Sequence, residues 1–281
     1  MKKYLLSLFI ICLLLVGCGN KDTDNKKESG KESKTKSQIE ETVIYEKDDI
    51  KVIAKSINYD GYMGPSIKIY AENNSDKDVT VQTDYLIVND LIVGNIFSMD
   101  VAAGKKANDE IFVMKEDLEL SKIDTFKTIE FNLFIIDPTT WDTIDTKKGI
   151  KLETNAKDYV QKYEHNDNLV LDKNGIKIYY EKMDEDSFWG IDVYFYIENN
   201  SNKDITIQVE DTSANGFMME PVFSEDIPSG KKVYSSMSFY EDDLEKNNVS
   251  KIEEIETEFI VFDMDTYDDI FETGKIKIET K

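Results

Sequence analysis

Histidine-based chemistry has one candidate in this chain, His165, and it lacks the partners such chemistry needs. A nucleophilic relay requires a serine or cysteine held against a base. The two cysteines, Cys12 and Cys18, lie near the amino end, while His165 sits in a short charged connector, NAKDYVQKYEHNDN. A zinc site built on His and Cys fails for the same shortage. Gly104-Lys105-Lys106 has neither the long glycine loop nor the trailing Ser or Thr of a phosphate-binding loop, and it reads as a turn entering a strand. Acidic runs occur at Asp184-Glu185-Asp186, at Glu241-Asp242-Asp243, and at Asp263 with Asp265, Asp268 and Asp269. No glycine-containing twelve-residue calcium loop accompanies them, so they read as solvated loops. The expectation is a protein that is not an enzyme and carries no cofactor or metal.

Aromatic residues point instead to recognition. Asp60-Gly61-Tyr62-Met63-Gly64 is matched 126 residues later by Asp186-Ser187-Phe188-Trp189-Gly190, which puts two large apolar residues at one shared loop position. Loops at the end of a rigid scaffold often carry binding, and aromatics supply contact area at modest entropy cost. Tyr62, Met63, Phe188 and Trp189 are therefore the candidate ligand contacts, although the same residues would also serve as lids over an open core. Trp141 and Tyr267, which follow a long strand in each half, read as core plugs.

The elements that position these residues come in two copies. Ile67 to Gln82, IKIYAENNSDKDVTVQ, returns as Val193 to Gln208, VYFYIENNSNKDITIQ. The duplication runs from Val43 to Thr154 and from Leu169 to Thr280 without a gap, with about thirty identities in clusters. Units of this length are duplicated domains, not solenoid repeats. Within a copy, short runs alternate apolar and polar residues, as half-buried strands do. The alternation names Ile67, Ile69, Ala71, Val79, Val81, Ile129, Phe131, Leu133 and Ile135 as inward-facing. Val193, Phe195, Ile197, Ile205, Ile207, Ile255, Phe259 and Val261 follow in the second copy. Lys115 to Leu120 and Glu241 to Lys246 each suggest one helical turn. Many strands without interleaved helices predict an all-β fold of two tandem antiparallel β-sandwiches of the immunoglobulin-like kind. The expected divisions are a signal peptide over 1–17, a disordered tether over 18–41, sandwiches over 42–154 and 169–281, and a semi-rigid connector over 155–168.

The amino end carries Lys2 and Lys3, an apolar run from Tyr4 to Val16, and then Leu15-Val16-Gly17-Cys18. This is the pattern of a secretory signal. Its last four residues resemble the lipobox of bacterial lipoproteins, which implies a diacylglyceryl group on Cys18 and a firm membrane anchor. The mature chain would hold no pair of thiols. It would carry 32 lysines against 57 carboxylates, a net charge of −25, with no arginine. A surface of that sign repels nucleic acid, and the side chain best suited to phosphate and guanine edges is missing.

Strand, Glu-Asn-Asn-Ser, Lys-Asp, strand, a Gly-Lys-Lys turn and Asp-Leu-Glu recur in both copies. They close on Asp137-Pro-Thr-Thr-Trp141-Asp142-Thr-Ile144 and Asp263-Met-Asp-Thr-Tyr267-Asp268-Asp-Ile270. This order resembles immunoglobulin-like domains in surface lipoproteins of low-GC Gram-positive bacteria, similar in fold to the mycobacterial secreted immunogenic antigen superfamily. The resemblance implies a sandwich fold and an extracytoplasmic setting. The functional expectation is a cell-surface lipoprotein that binds a protein or carbohydrate at the envelope, with cationic partners favoured. The alternative is an accessory lipoprotein of a transport, wall-assembly or stress complex.

Overall fold

Alternation of apolar and polar residues yields nineteen strands and two single-turn helices within residues 36–280, the part of the chain that the computed structural model describes. Cys18 and the expected signal peptide lie outside the described residues. The first repeat holds β1 (Thr42–Lys47), β2 (Ile50–Asn58), β3 (Ser66–Asn73), β4 (Val79–Val88), β5 (Leu91–Val93), β6 (Asn95–Ile96), β7 (Ser98–Val101), β8 (Lys105–Val113), α1 (Lys115–Leu120), β9 (Thr128–Ile136) and β10 (Thr143–Glu153). The second holds β11 (Leu169–Lys173), β12 (Ile176–Ser187), β13 (Gly190–Asn199), β14 (Ile205–Ala214), β15 (Phe217–Met218), β16 (Ser224–Ile227), β17 (Lys232–Tyr240), α2 (Glu241–Lys246), β18 (Glu254–Asp263) and β19 (Asp269–Glu279).

Each repeat is a sandwich of two sheets. In the first, the order β1-β2-β3-β8-β6 faces β10-β9-β4-β5, with β7 paired to β4. Val52, Ile67, Ile69 and Ile111 from one sheet share a core with Val81, Leu86, Phe131 and Leu133 from the other. In the second, β11, β12, β13 and β17 face β15-β14-β18-β19, with β16 paired to β14. There Ile178, Val193, Phe195 and Met237 share a core with Ile205, Ile207, Phe259 and Val261. Every residue named above as inward-facing is buried. A one-residue slip would turn those sets to solvent, so burial holds the register.

The repeated Asn-Asn-Ser segment works alike in both copies. The fully buried Asn73 donates through Nδ2 to the carbonyls of Lys77 (2.7 Å) and Val101 (2.9 Å) and accepts from the Ser75 backbone (3.1 Å) and hydroxyl (2.6 Å). Asn199 makes the matching bonds to Lys203 (2.8 Å), Ile227 (2.8 Å) and Ser201 (3.0 and 2.6 Å). One side chain thus ties the turn to a strand of the facing sheet.

Residues 36–41, assigned from sequence to the tether, are built into the fold. Ile39 is buried and bridges Thr154, and Gln38 exchanges hydrogen bonds with the backbone of Ile57 at 2.8 and 3.0 Å. Trp141 and Tyr267 are not core plugs. They are 68% and 76% exposed, with φ of 64° and 60°, at the ends of turns in which Asp137 and Asp263 accept backbone bonds from the residues that follow. A left-handed residue at that place turns its side chain outward, and the turn chemistry overrides the apolar character.

The two repeats also share a sheet. β5 pairs in parallel with β17, Leu91 opposite Lys232 and Ile92 opposite Val233. This joins β10-β9-β4-β5 and β17-β13-β12-β11 into one nine-stranded sheet. The connector forms neither helix nor strand and runs beside this junction.

Candidate functional site

The predicted loop residues are displayed, not folded back as lids. Tyr62, Met63, Phe188 and Trp189 are all exposed. In the second repeat Phe188 meets Trp189 edge-on at 4.8 Å, and Trp189 meets Tyr240 at 6.3 Å, so three aromatics form one surface patch. Gly190 fixes that loop against the sheet. Its φ is +142°, and a Cβ there would stand 2.2 Å from the Phe239 carbonyl. Gly64 does the same for the first repeat, with φ +122° and a Cβ position 2.7 Å from the Val113 carbonyl.

A second site lies at the junction. Two adjoining depressions of about 620 and 510 Å³ share Asp117, Leu120, Tyr194 and Tyr234 in their walls. Carboxylates dominate this cleft. Asp84, Glu116, Asp117 and Glu119 come from the first repeat, Glu164 from the connector, and Glu181 and Glu225 from the second repeat. Lys122 and Lys182 are the cationic members of the wall; Lys122 pairs with Glu164 at 2.8 Å, and Lys182 lies over the Tyr194 ring at 4.7 Å.

Burial shapes the electrostatics of these walls. It raises the Asp84 carboxyl, against the bonds donated by Asn132, and raises Glu181, against the Asn166 backbone bond. Glu225 is raised by burial first and further by Asp226 and Asp117, against the bond from Ser235. Tyr194 is raised by burial and by Asp192, Asp184 and Asp117; Tyr234 is pushed up to about 12 by burial and by Glu181 and Glu164. Carboxylates that repel one another in a partly desolvated cleft gain when a cation enters, and neutral tyrosine rings offer it their faces.

What holds the cleft open is the junction itself. The Lys231 ammonium bonds Asp90 at 2.7 Å and Glu130 at 2.9 Å, and the Lys232 backbone N–H donates to the Asp90 carbonyl at 3.0 Å. The connector straps across: the Tyr163 hydroxyl donates to the Asn89 carbonyl at 3.0 Å, Lys232 stands over the Tyr163 ring at 4.4 Å, and the Tyr234 hydroxyl donates to the Glu164 carbonyl. His165 is used here for packing, its ring stacked 4.7 Å from Tyr196. The acidic runs of the sequence do not assemble a metal site: among the described residues, no three His, Cys, Asp or Glu side chains converge on a common ion position.

The aromatic loops are legible in the sequence, and the cleft is not evident from either copy alone. A signal was present in the differences between the copies. Lys55, Lys68 and Asn108 of the first repeat correspond to Glu181, Tyr194 and Tyr234 of the second, so polar or basic positions became acidic and aromatic ones where the junction forms.

No family model matches the chain, and no curated protein matches it. Solved structures give distant likenesses. The YadV chaperone aligns over 83% of this chain and 100% of its own at 13% identity, with a TM-score of 0.25. The Salmonella enterica SafA pilin in complex with the SafB chaperone aligns over 76% of this chain and 88% of the other at 10% identity, with a TM-score of 0.21. Red sea bream transglutaminase aligns over 86% of this chain and 31% of its own at 10% identity, with a TM-score of 0.20. Scores at this level carry no argument about what the chain does.

Proposed function

We propose that this chain is a non-enzymatic lipoprotein of the extracytoplasmic membrane face, anchored by a diacylglyceryl group on Cys18, whose two immunoglobulin-like sandwiches bind a cationic partner in the cleft at their junction. The observation that carries the reading is the composition of that cleft, in which seven carboxylates and the rings of Tyr194 and Tyr234 surround a space large enough for an extended polyamine or lysine side chains. The net charge of −23 adds a long-range field of the same sign, which speeds the approach of cations and falls off with salt. No nucleic acid and no cofactor enter this reading.

Isothermal titration with spermine and with a short oligolysine tests it. Saturable binding that weakens with salt is expected, together with a loss of about two- to fivefold on Tyr194→Ala, the worth of one cation–π contact. Glu181→Gln should weaken binding further. Affinity should also rise with pH as the raised carboxyls of Asp84, Glu181 and Glu225 ionise. Binding that ignores both substitutions sinks the cleft reading. Fatty-acid labelling that survives Cys18→Ser sinks the anchor.

The exposed trio of Phe188, Trp189 and Tyr240 favours a second reading, docking onto a protein or carbohydrate of an envelope complex. Capture from intact envelope with and without Trp189→Ala separates the two. A stoichiometric membrane partner lost in the variant supports the accessory role.

A further inference from the structure

The junction between the repeats is head-to-tail: the β5 edge of one copy meets the β17 edge of the next, and the two surfaces differ. A heterologous contact of this kind leaves one unused surface at each end of a two-copy chain. Both unused surfaces can be named, because the repeats share strand order and a constant offset. The counterpart of β5 is β15, and the counterpart of the paired segment of β17 is Lys106-Ala107 in β8. We propose that a second copy of this chain pairs there, β15 of one molecule lying parallel to β8 of another, so that the internal junction repeats between molecules.

Two features support a second copy as the occupant. The first is the state of the donor edge. Leu91 of β5 is buried and Ile92 packs against the second core, whereas their counterparts Phe217 and Met218 are 47% and 62% exposed. The strand is only two residues long and runs toward Glu220 and Pro221, guards common at natural edges, yet its own two apolar side chains are uncovered.

The second is conservation of the junction chemistry between copies. Lys105 and Lys106 stand where Lys231 and Lys232 make the internal contact, and Glu256, which holds Lys275 at 3.4 Å, stands where Glu130 accepts from Lys231 while holding Lys151 at 2.9 Å. Asn215 shapes its turn as Asn89 does: Asn89 donates to the Thr125 carbonyl and accepts from the Lys127 backbone, and Asn215 donates to Lys251 and accepts from Glu253. Asp90 alone among the acceptors is replaced, by Gly216.

The external contact lacks the connector strap, so it is the weaker of the two and is favoured where anchored chains crowd one surface.

Disulfide trapping tests this in the unit from Lys36 onward, which contains both cores and no cysteine. Ile92→Cys with Val233→Cys in one chain reproduces an observed pairing and should close within the molecule. A mixture of single variants Ala107→Cys and Met218→Cys should then give mixed dimers under mild oxidation, and the double variant a ladder. A mixture that yields no more dimer than a Tyr62→Cys control, while the Ile92/Val233 pair closes, overturns the proposal. So does preferential Met218→Cys homodimer, which would mean an isologous contact.

Discussion

Replacing Lys231 by Met tests whether the junction is a bonded interface or two sandwiches that merely abut. The Lys231 side chain is 14% exposed and bridges Asp90 and Glu130 at 2.7 and 2.9 Å. Charge-assisted bonds contribute about 1.5–3 kcal/mol each when shielded, and breaking a fully buried pair costs about 3–5 kcal/mol. Two facts reduce that here. Asp90 is nearly half exposed and can be hydrated, and Glu130 keeps Lys151 at 2.9 Å. A loss of about 2 kcal/mol is therefore expected, between the surface-pair limit of about 1 and the buried one. For a unit of this size that is a fall of about 4–8 °C in melting temperature. The chain supplies its own control, since Lys105 is the counterpart of Lys231 and is exposed, so Lys105→Met should stay within about 0.5 kcal/mol. The pH dependence adds a second check. Burial works to raise the Asp90 and Glu130 carboxyls, but the bonds from Lys231 outweigh it and both lie below their ordinary values. A depressed carboxyl stabilises the fold above its unfolded pKa of about 4, and that contribution is lost as pH falls through the folded value. The deficit of Lys231→Met should accordingly hold down to about pH 4 and shrink as pH falls below it. Denaturant unfolding of wild type and both variants at two pH values reads all of this. Equal stability of the two Met variants, or a deficit that does not change with pH, would refute the reasoning.

Further outcomes follow from the turns and loops. Asn73→Ala and Asn199→Ala each remove the side-chain bond to one buried carbonyl, Val101 or Ile227, and strand one backbone N–H, while the Ser75 and Ser201 hydroxyls still serve the Lys77 and Lys203 carbonyls, so each should cost about 2–4 kcal/mol, nearly the same in both copies, by urea unfolding. A large difference between the copies would mean that the two turns are not equivalent. Gly190→Ala should cost at least about 2 kcal/mol, since it combines positive φ with a Cβ 2.2 Å from a carbonyl oxygen, and Gly64→Ala should behave likewise; calorimetry showing neither effect would rule out these loop conformations. Both tryptophans should be accessible to acrylamide, and Trp189→Ala should leave stability within about 0.5 kcal/mol. A shielded tryptophan would restore the core-plug reading of Trp141.

The strands were legible because period-two alternation is enforced by a face that must be dry, and duplication read the same phase twice. Ile67, Ile69 and Ala71 agree with Val193, Phe195 and Ile197, and both sets are buried. The two single-turn helices were legible from Asp-Leu-Glu, where Leu118 and Leu244 are the buried members. Trp141 and Tyr267 were misread because hydrophobicity suggests a destination only when the backbone permits it, and the carboxylates of Asp137 and Asp263 set a left-handed turn first. The buried end of the tether was hidden for the opposite reason. One Ile39 among polar residues has no periodicity, and its place depends on Thr154, far away in the chain.

The junction escaped notice for a deeper physical reason. A strand edge is joined by backbone groups, which every residue carries, so Leu91-Ile92-Val93 reads the same whether its outer edge is paired or bare. Side chains record the environment only through what selection changes around them, and a duplicated chain makes such changes visible against an internal reference. Lys68 faces solvent where Tyr194 faces the cleft, and Asn108 is exposed where Tyr234 lies against the connector. Positions at which the copies differ in kind therefore map the surface that one copy has covered and the other has not. By the same logic the positions that did not change, Lys105 with Lys231 and Glu256 with Glu130, call for an explanation at the open ends. Glu256 is half-buried and pairs with Lys275 at 3.4 Å, so the exposed Lys105 is the one of the two whose retention the fold itself does not account for.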